Sequence, residues 1–222
     1  MQSQRLDRYE AAARELTARG HTYPCTCSRK EIASIASAPH DDEGPIYPGT
    51  CRDGPSHPER EPALRFRMPD PPPAFDDLLR GASPPGLGRG DFVIQRKDGV
   101  FAYQLACVVD DAAMGITEVL RGDDLLASTP RQIALYRALE LPVPRFVHVP
   151  LVLGADGQRL AKRHGAIAIA QLRDHGLTPE AIVGRLAHGA GLSGEDRPIA
   201  ARELVERFEL ARLRREPTVE AT

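Results

Sequence analysis

The spacing of apolar residues near the start of the chain predicts a helix over residues 3–20. Gly20 can end this helix in a left-handed conformation. Because the helix begins so close to Met1, we expect its apolar face to lack a packing partner. Its apolar positions fall on one face: Leu6, Tyr9, Ala13 and Leu16.

A period of two residues predicts a strand over residues 62–68. Its apolar side chains lie on one face, and Arg65 and Arg67 lie on the other. A hairpin is expected over residues 92–103, across the turn dipeptide Asp98-Gly99.

Helices and strands alternate further along the chain, which predicts an α/β sheet. The helix predicted over residues 128–140 is expected to begin with a capping box, Thr129 to Gln132, and with Pro130 at its first position. After residue 166 the pattern is helical, with new helices starting near Thr178 and Pro198. The alternating series consists of a helix over 103–114, a strand over 116–121, a helix over 128–140 and a strand over 146–153.

Composition narrows the class of protein. The 222 residues are 41% hydrophobic and 27% charged, which is ordinary for a globular protein. We find no apolar run long enough for a membrane span and no secretory signal. The formal charge of −2 provides no general basic surface for nucleic acid, so RNA would have to bind a local patch. Four cysteines without a signal indicate a reducing, cytoplasmic location, and metal binding before disulfides.

Three of the cysteines indicate a zinc site. Cys25 and Cys27 precede a short helix over about residues 29–36, which a capping box from Ser28 to Glu31 begins, and Cys51 follows a loop. Zinc takes four ligands, mostly Cys and His, so one structural ion is expected here. The residues leave the fourth ligand open between His40, the usual chemical choice, and Tyr47, whose phenol must lose a proton. Cys107 lies in the middle of a predicted helix and is expected to be a small core residue.

A basic loop is expected after the strand that ends at Leu153. It follows the turn dipeptide Asp156-Gly157 and contains Lys162. A lysine point charge and the backbone amides near Gly165 suit a polyphosphate. The alternative is a solvated hairpin tip.

The sequence RLAKRHGA resembles the KMSKS-type loop of class I aminoacyl-tRNA synthetases, in the form of the glutamyl branch. The resemblance implies an α/β fold, the remainder of a Rossmann-type catalytic domain with a zinc-binding insertion and a short helical tail. It also implies that Lys162 is catalytic and stabilises charge on pyrophosphate. Ala161 departs from the family, which has a small hydroxyl residue there. The implied ATP-binding residues are Arg159, Leu160, Ala161, Lys162 and Arg163.

The segments FAYQLACVVDD and GITEVLRGDDLLASTPRQ resemble the same branch. The resemblance implies that Tyr103 lines the amino-acid pocket and that Arg121 binds the substrate carboxylate, as a guanidinium fork can. The structural alternatives are a core aromatic for Tyr103 and an ion pair with Asp123 or Asp124 for Arg121.

Cys-x-Cys followed by Tyr-x-x-x-Cys is similar to the zinc site of the glutamyl-queuosine tRNA(Asp) synthetase family. This similarity selects Cys25, Cys27, Tyr47 and Cys51 as ligands, with His40 in reserve. The chain after His164 is also too short for the anticodon-reading domains of a glutamyl-tRNA synthetase.

The resemblance implies ATP-dependent activation of L-glutamate and its transfer to queuosine in the anticodon of tRNA(Asp). Its expected partners are L-glutamate, ATP with Mg²⁺, and tRNA(Asp), with no membrane, and the chain is expected to be monomeric. His-x-Gly-His, which holds ATP in class I synthetases, does not occur. We therefore expect an N-terminally truncated chain that is inactive alone. The expected division is a catalytic-domain helix at 1–20, a zinc-binding arm at 21–62, the second part of the catalytic domain at 63–166 and a helical tail at 167–222.

Three alternatives remain open. The chain could be a fragment of a glutamyl-tRNA synthetase, or a non-catalytic zinc-dependent module that binds RNA without ATP. The acidic pairs Asp110-Asp111 and Asp123-Asp124, with His148, could instead form a two-metal phosphohydrolase site.

Overall fold

The computed structural model describes residues 1–35, 46–154, 157 and 169–219. Within these residues, the chain divides into two compact units. Unit 1 consists of Met1–Asp77, Ala82–Val119 and Asp124–Phe146, and unit 2 consists of Leu78–Gly81, Leu120–Asp123 and Val147–Thr222.

The N-terminal helix α1 spans Leu6–Ala18, within the predicted range. Gly20 has a φ of 77° and the His21 amide donates to the Leu16 carbonyl, so the predicted glycine end is confirmed. The expectation of an unmatched apolar face is wrong, because Tyr9, Ala13 and Leu16 are buried in the core of unit 1. The elements that cover them come later in the sequence. Leu6 is the exception and is 54% exposed.

An antiparallel sheet forms the centre of unit 1. Strand β1 (Thr22–Cys25) pairs with β2 (Ala63–Phe66), and β2 pairs with β5 (Phe92–Gln95). The predicted hairpin after β5 is present, but its second arm is reduced to a bridge between Gln95 and Phe101. Two short strands, β3 (Asp76–Asp77) and β4 (Gly81–Ala82), form a separate pair.

Helices α3 (Tyr103–Ala113) and α4 (Ser128–Ala138) complete the core of unit 1. α4 begins at Ser128, where the predicted range begins, after a 3₁₀ turn at Asp123–Leu125, so Pro130 is its third residue and not its first. Its N-cap is Ala127, which makes no side-chain cap, and the predicted capping box at Thr129 is therefore wrong. Core side chains with no exposed surface include Leu16, Ile94, Leu105, Val108 and Leu135.

Strands β6 (Glu118–Gly122) and β7 (Arg145–Val149) form a two-stranded sheet, and the chain passes from one unit to the other within both. The run predicted as one strand over 146–153 is interrupted, because β8 occupies Val152–Leu153. In unit 2, β8 pairs in parallel with β9 (Thr218–Val219).

The helical tail contains α5 (Ile169–Asp174), α6 (Pro179–Gly189) and α7 (Ala201–Val205), followed by a 3₁₀ turn at Leu210–Arg212. The predicted start of α6 is confirmed, since the Thr178 hydroxyl accepts from the Ala181 amide at 3.2 Å. α7 is shorter than the predicted helix from Pro198. In the described part of the chain, no helix is long and apolar enough to cross a membrane.

Candidate metal centre and substrate site

Three thiols converge in unit 1, as the sequence predicts. Cys25 ends β1, Cys27 follows two residues later, and Cys51 lies in the turn after Tyr47. The three sulfurs lie within 4.8 Å of one another, so the cluster could hold a metal ion. The cysteines are free, and Cys25 and Cys51 are buried.

The Tyr47 oxygen supplies a fourth donor beside the sulfurs. It lies 3.4 Å from Cys25 Sγ and 3.6 Å from Cys27 Sγ, and Cys27 Sγ lies 3.5 Å from Cys51 Sγ. Zinc–sulfur bonds of ~2.3 Å in a tetrahedron place two sulfurs ~3.8 Å apart, and a sulfur and an oxygen slightly closer. Three of the donor pairs, Tyr47 with Cys25, Tyr47 with Cys27 and Cys27 with Cys51, therefore lie close to the separations that one tetrahedral ion requires.

A short helix fixes the approach to the cluster. α2 (Arg29–Ile35) begins with the predicted capping box: the Ser28 amide donates to the Glu31 carboxylate at 2.6 Å, and the Glu31 amide donates to the Ser28 hydroxyl at 3.2 Å. The hydrogen bond from the Ser28 backbone, with the nearby Arg60, lowers the pKa of Glu31 to about 2. Arg60 donates to Glu31 at 2.9 Å, which ties the helix to the chain after Cys51.

Hydrogen bonds around the thiols favour a thiolate at Cys51. Burial alone would raise the pKa of this thiol, but hydrogen bonds from the Ser56 hydroxyl and amide, each at 3.4 Å, outweigh it and lower the pKa to about 5. Burial raises the pKa of Cys27 and of Tyr47, and the neighbouring thiols raise that of Tyr47 further. A cation that bound to Tyr47 would therefore have to displace the phenol proton.

A buried carboxylate holds the Cys51 turn against the sheet. Asp91 accepts from Arg52, the residue after Cys51, in a bidentate pair at 2.6 Å for both bonds. It also accepts from the Tyr23 hydroxyl at 2.6 Å and from the Met68 amide at 2.9 Å. Asp91 thus joins β1, the segment after β2 and the Cys51 turn.

Sequence patterns do not reveal Ser56, Arg65 and Asp91 as neighbours of this centre. The sequence places Arg65 on the polar face of β2, but this face does not meet water. It is covered by the segment at residues 21–62, and Arg65 is only 7% exposed. Its Nε lies 3.1 Å from Cys25 Sγ. Since the contact joins residues 40 positions apart, no local spacing could have indicated it. His40 lies outside the described residues.

The two predicted glutamate-binding residues, Tyr103 and Arg121, lie in different units and differ in exposure and in hydrogen bonding. Tyr103 is the first residue of α3 in unit 1 and is 50% exposed, which excludes a core aromatic. Arg121 lies on β6 in unit 2, where its Nε donates to Nε2 of the fully buried His148 at 3.0 Å. His148 must therefore carry no proton on Nε2. Asp123, one proposed partner of Arg121, forms an ion pair with Arg80.

The predicted ATP-binding loop, residues 159–163, lies outside the described residues, as does Asp156. The acidic pairs are not collected into a metal site in the described part of the chain, where only the cysteines form a group of three possible ligands. Asp110 instead accepts from the Tyr9 hydroxyl at 2.8 Å and pairs with Arg5, which fastens α3 to the N-terminal region.

The chain resembles known proteins in sequence over nearly its whole length. Residues 1–220 match the family of class I tRNA synthetases (E and Q), catalytic domain. The chain is 54% identical, over 97% of its length, to the glutamyl-Q tRNA(Asp) synthetase of Symbiobacterium thermophilum, and it spans 70% of that protein. The chain belongs to the glutamyl-Q tRNA(Asp) synthetase family. Its predicted kinship with class I ligases of the glutamyl branch is thereby confirmed.

Relatives outside this family match less of their own length. The glutamate–tRNA ligase of Geobacter sulfurreducens is 44% identical over 93% of the chain, which spans 45% of the ligase. A glutamate–tRNA synthetase structure from Elizabethkingia anophelis superposes with a TM-score of 0.78 at 22% identity, over 99% of this chain and 52% of that one. This likeness confirms the predicted class I fold. Class I synthetases use ATP, and the family implies glutamate and tRNA as further substrates.

Proposed function

We propose that the chain acts in the ATP-dependent activation of L-glutamate and in its transfer to queuosine in the anticodon of tRNA(Asp). The observation that carries this proposal is the 54% identity to a glutamyl-Q tRNA(Asp) synthetase over 97% of the chain. The lower identity to the glutamate–tRNA ligase of Geobacter sulfurreducens, 44%, favours the same choice. ATP is proposed to enter with Mg²⁺.

Each proposed contact with the substrate is assigned from the chemistry of the side chain. Arg121 binds the carboxylate of glutamate, which accepts two hydrogen bonds from a guanidinium fork, whereas glutamine could not pair its amide in this way. His148 positions Arg121, because an imidazole nitrogen that accepts from Nε restricts the guanidinium to one orientation. Tyr103, half exposed at the start of α3, lines the amino-acid pocket.

The basic loop at Arg159–Arg163 is proposed to hold ATP, with Lys162 stabilising the charge that develops as pyrophosphate leaves. Most of the rate enhancement in such a reaction comes from positioning and electrostatics rather than from covalent chemistry of the protein. The proposed division assigns residues 1–20 and 63–166 to the catalytic domain, 21–62 to the metal arm and 167–222 to the helical tail. We propose that the protein is a cytoplasmic monomer. Sedimentation, which measures the mass of the particle in solution, tests the monomeric state.

One structural zinc ion is proposed at Cys25, Cys27, Tyr47 and Cys51. Their convergence and spacing support this ligand set, and the ion would supply a cross-link between β1 and the Cys51 turn. Metal analysis of the purified protein should find one zinc per chain, lost in Cys51→Ser. Zinc near zero in the wild type would contradict the site, while zinc kept in Tyr47→Phe but lost in His40→Ala would replace Tyr47 by His40.

The activity is tested with radiolabelled glutamate, ATP and three RNAs: queuosine-containing tRNA(Asp), queuosine-free tRNA(Asp) and tRNA(Glu). The 222-residue chain and the glutamyl-Q tRNA(Asp) synthetase of Symbiobacterium thermophilum, as a reference enzyme, are assayed in parallel. Label on the queuosine-containing RNA alone supports the proposal. Label on tRNA(Glu) would identify a glutamate–tRNA ligase, and RNA binding without ATP-dependent labelling would identify a binding module.

A further inference from the structure

Arg65 is a charged side chain placed inside unit 1 beside the metal-binding thiols. It lies on the central strand β2, opposite Tyr23, and is 7% exposed. Its guanidinium lies over the Tyr47 ring, with Cζ 3.8 Å from the ring centroid. Nε donates to Cys25 Sγ at 3.1 Å, and Nη1 donates to the Asp91 backbone carbonyl at 3.1 Å. The guanidinium therefore touches two of the four proposed ligands.

Among the described residues, Arg65 has no carboxylate partner for its charge. In the described ranges, no Asp or Glu oxygen forms a salt bridge with Arg65, and the nearby Asp91 carboxylate is occupied by Arg52, Tyr23 and Met68. A buried cation is costly unless a negative group balances it. The groups that Arg65 does contact are a thiol, a backbone carbonyl and an aromatic face.

A loaded metal centre supplies the missing negative charge. Metal binding removes the protons of the thiols, and three thiolates around a divalent ion leave one excess negative charge, to which a phenolate would add another. A guanidinium N–H directed at a thiolate forms a charge-assisted hydrogen bond, which is stronger than a neutral one. The same cation over the Tyr47 face is attracted to the ring.

We propose that Arg65 is the internal counter-ion of the metal centre and holds the Cys25 thiolate and the Tyr47 ring in ligating positions. The proposal rests on the zinc ligation proposed above. Arg65 is a positioning residue here, because it acts through the ligands and does not touch the ion. Neutralising the centre from inside the sheet makes zinc binding stronger than the same four ligands would achieve without the arginine.

The competing explanation is a purely structural role, in which Arg65 joins β2 to the segment at Asp91. Three variants separate the two roles: Arg65→Gln removes the charge, Arg65→Lys keeps a charge without the fork, and Arg96→Gln is the control. Arg96 follows β5, is 56% exposed in its side chain and pairs only with Asp98 at 2.7 Å among its ion pairs in the described residues.

Zinc affinity is measured by competition with a chromophoric chelator. Loss of a hydrogen-bonded neighbour of a metal ligand typically costs about 10–100-fold in affinity. We expect a loss of that size in Arg65→Gln, a smaller loss in Arg65→Lys and none in Arg96→Gln. Cobalt substitution provides a readout of charge: the sulfur-to-cobalt absorption band should move to lower energy in Arg65→Gln, because its thiolate is no longer stabilised by a cation.

A measurement on the wild type does not depend on the folding of any variant. With the NMR-active cadmium isotope in the site, the Nε–H···S contact should give a scalar coupling between cadmium and the Arg65 Hε. Its absence in a stoichiometrically loaded protein, or a zinc affinity in Arg65→Gln equal to that of the wild type, overturns the counter-ion role and leaves the ligand set standing. A wild-type protein that binds neither zinc nor cadmium overturns both proposals.

Discussion

Removal of the Asp91 carboxylate should destabilise unit 1 by several kcal/mol, although Asp91 lies in no element of regular structure. Asp91→Ala leaves three donors without their acceptor: the Tyr23 hydroxyl, the Met68 amide and the Arg52 guanidinium. Burial by itself would raise the pKa of Asp91, but hydrogen bonds from Arg52 and Tyr23 outweigh it and hold the pKa below its ordinary value. The carboxylate is thus charged and fully partnered.

The magnitude follows from the exposure of the three donors. Tyr23 and Met68 are each 4% exposed, and a buried donor left unsatisfied costs about 1–3 kcal/mol. The Arg52 side chain is 42% exposed and can turn to water, so its ion pair is discounted. We expect Asp91→Ala to lower the free energy of unfolding by about 2–5 kcal/mol, and Asp91→Asn, which keeps the shape, by less.

Urea unfolding followed by far-UV circular dichroism, at one fixed zinc concentration, measures this loss. Asp98→Ala is the control, because its carboxylate is exposed and its salt bridge, within the described part of the chain, is to Arg96 alone; the change should alter stability by less than about 0.5 kcal/mol. A loss below about 1 kcal/mol in Asp91→Ala would refute the reasoning.

The pH dependence of the same measurement has a definite sign. A carboxyl group whose folded pKa is depressed stabilises the protein fully above its unfolded pKa of about 4, and this contribution is lost as pH falls through the folded pKa. The difference between the wild type and Asp91→Asn should therefore be constant from pH 7 to about pH 5 and shrink below about pH 4. A difference that grows on acidification would contradict the depressed pKa.

Three further predictions concern other parts of the chain. Lys162→Ala should slow glutamate-dependent ATP–pyrophosphate exchange by the gene product by about 10²–10³, as loss of one preorganised donor typically does, and near wild-type exchange would assign the loop to solvent. Arg121→Lys should weaken glutamate activation because an ammonium loses the fork, whereas equal activation would favour a structural role for Arg121 on β6. Gly184→Ala should destabilise unit 2 by about 1–3 kcal/mol in thermal unfolding, because its Cβ would overlap the Arg197 carbonyl; Gly194→Ala, which meets open space, should be nearly neutral.

Local patterns in the sequence determined several features of the fold. The Ser28–Glu31 capping box, the glycine end of α1 and the Thr178 cap of α6 each depend on hydrogen bonds between residues three to five positions apart. Such contacts are specified by residue type and spacing alone, so the patterns predicted them correctly. The three cysteines likewise indicated a cluster that the structure brings together, and the family resemblance added Tyr47, since a closed loop leaves few other arrangements for three nearby thiols.

Tertiary structure alone decided which polar residues lie beside the cysteine cluster. Alternation along β2 placed Arg65 on a polar face, but whether that face meets water depends on the arm that folds over it. Arg65 meets Cys25 across 40 positions, and Asp91 meets Tyr23 across 68. No periodicity in the sequence links residues at such separations, because their contact depends on the register of β1, β2 and β5 and on the packing of the Cys51 turn against that sheet.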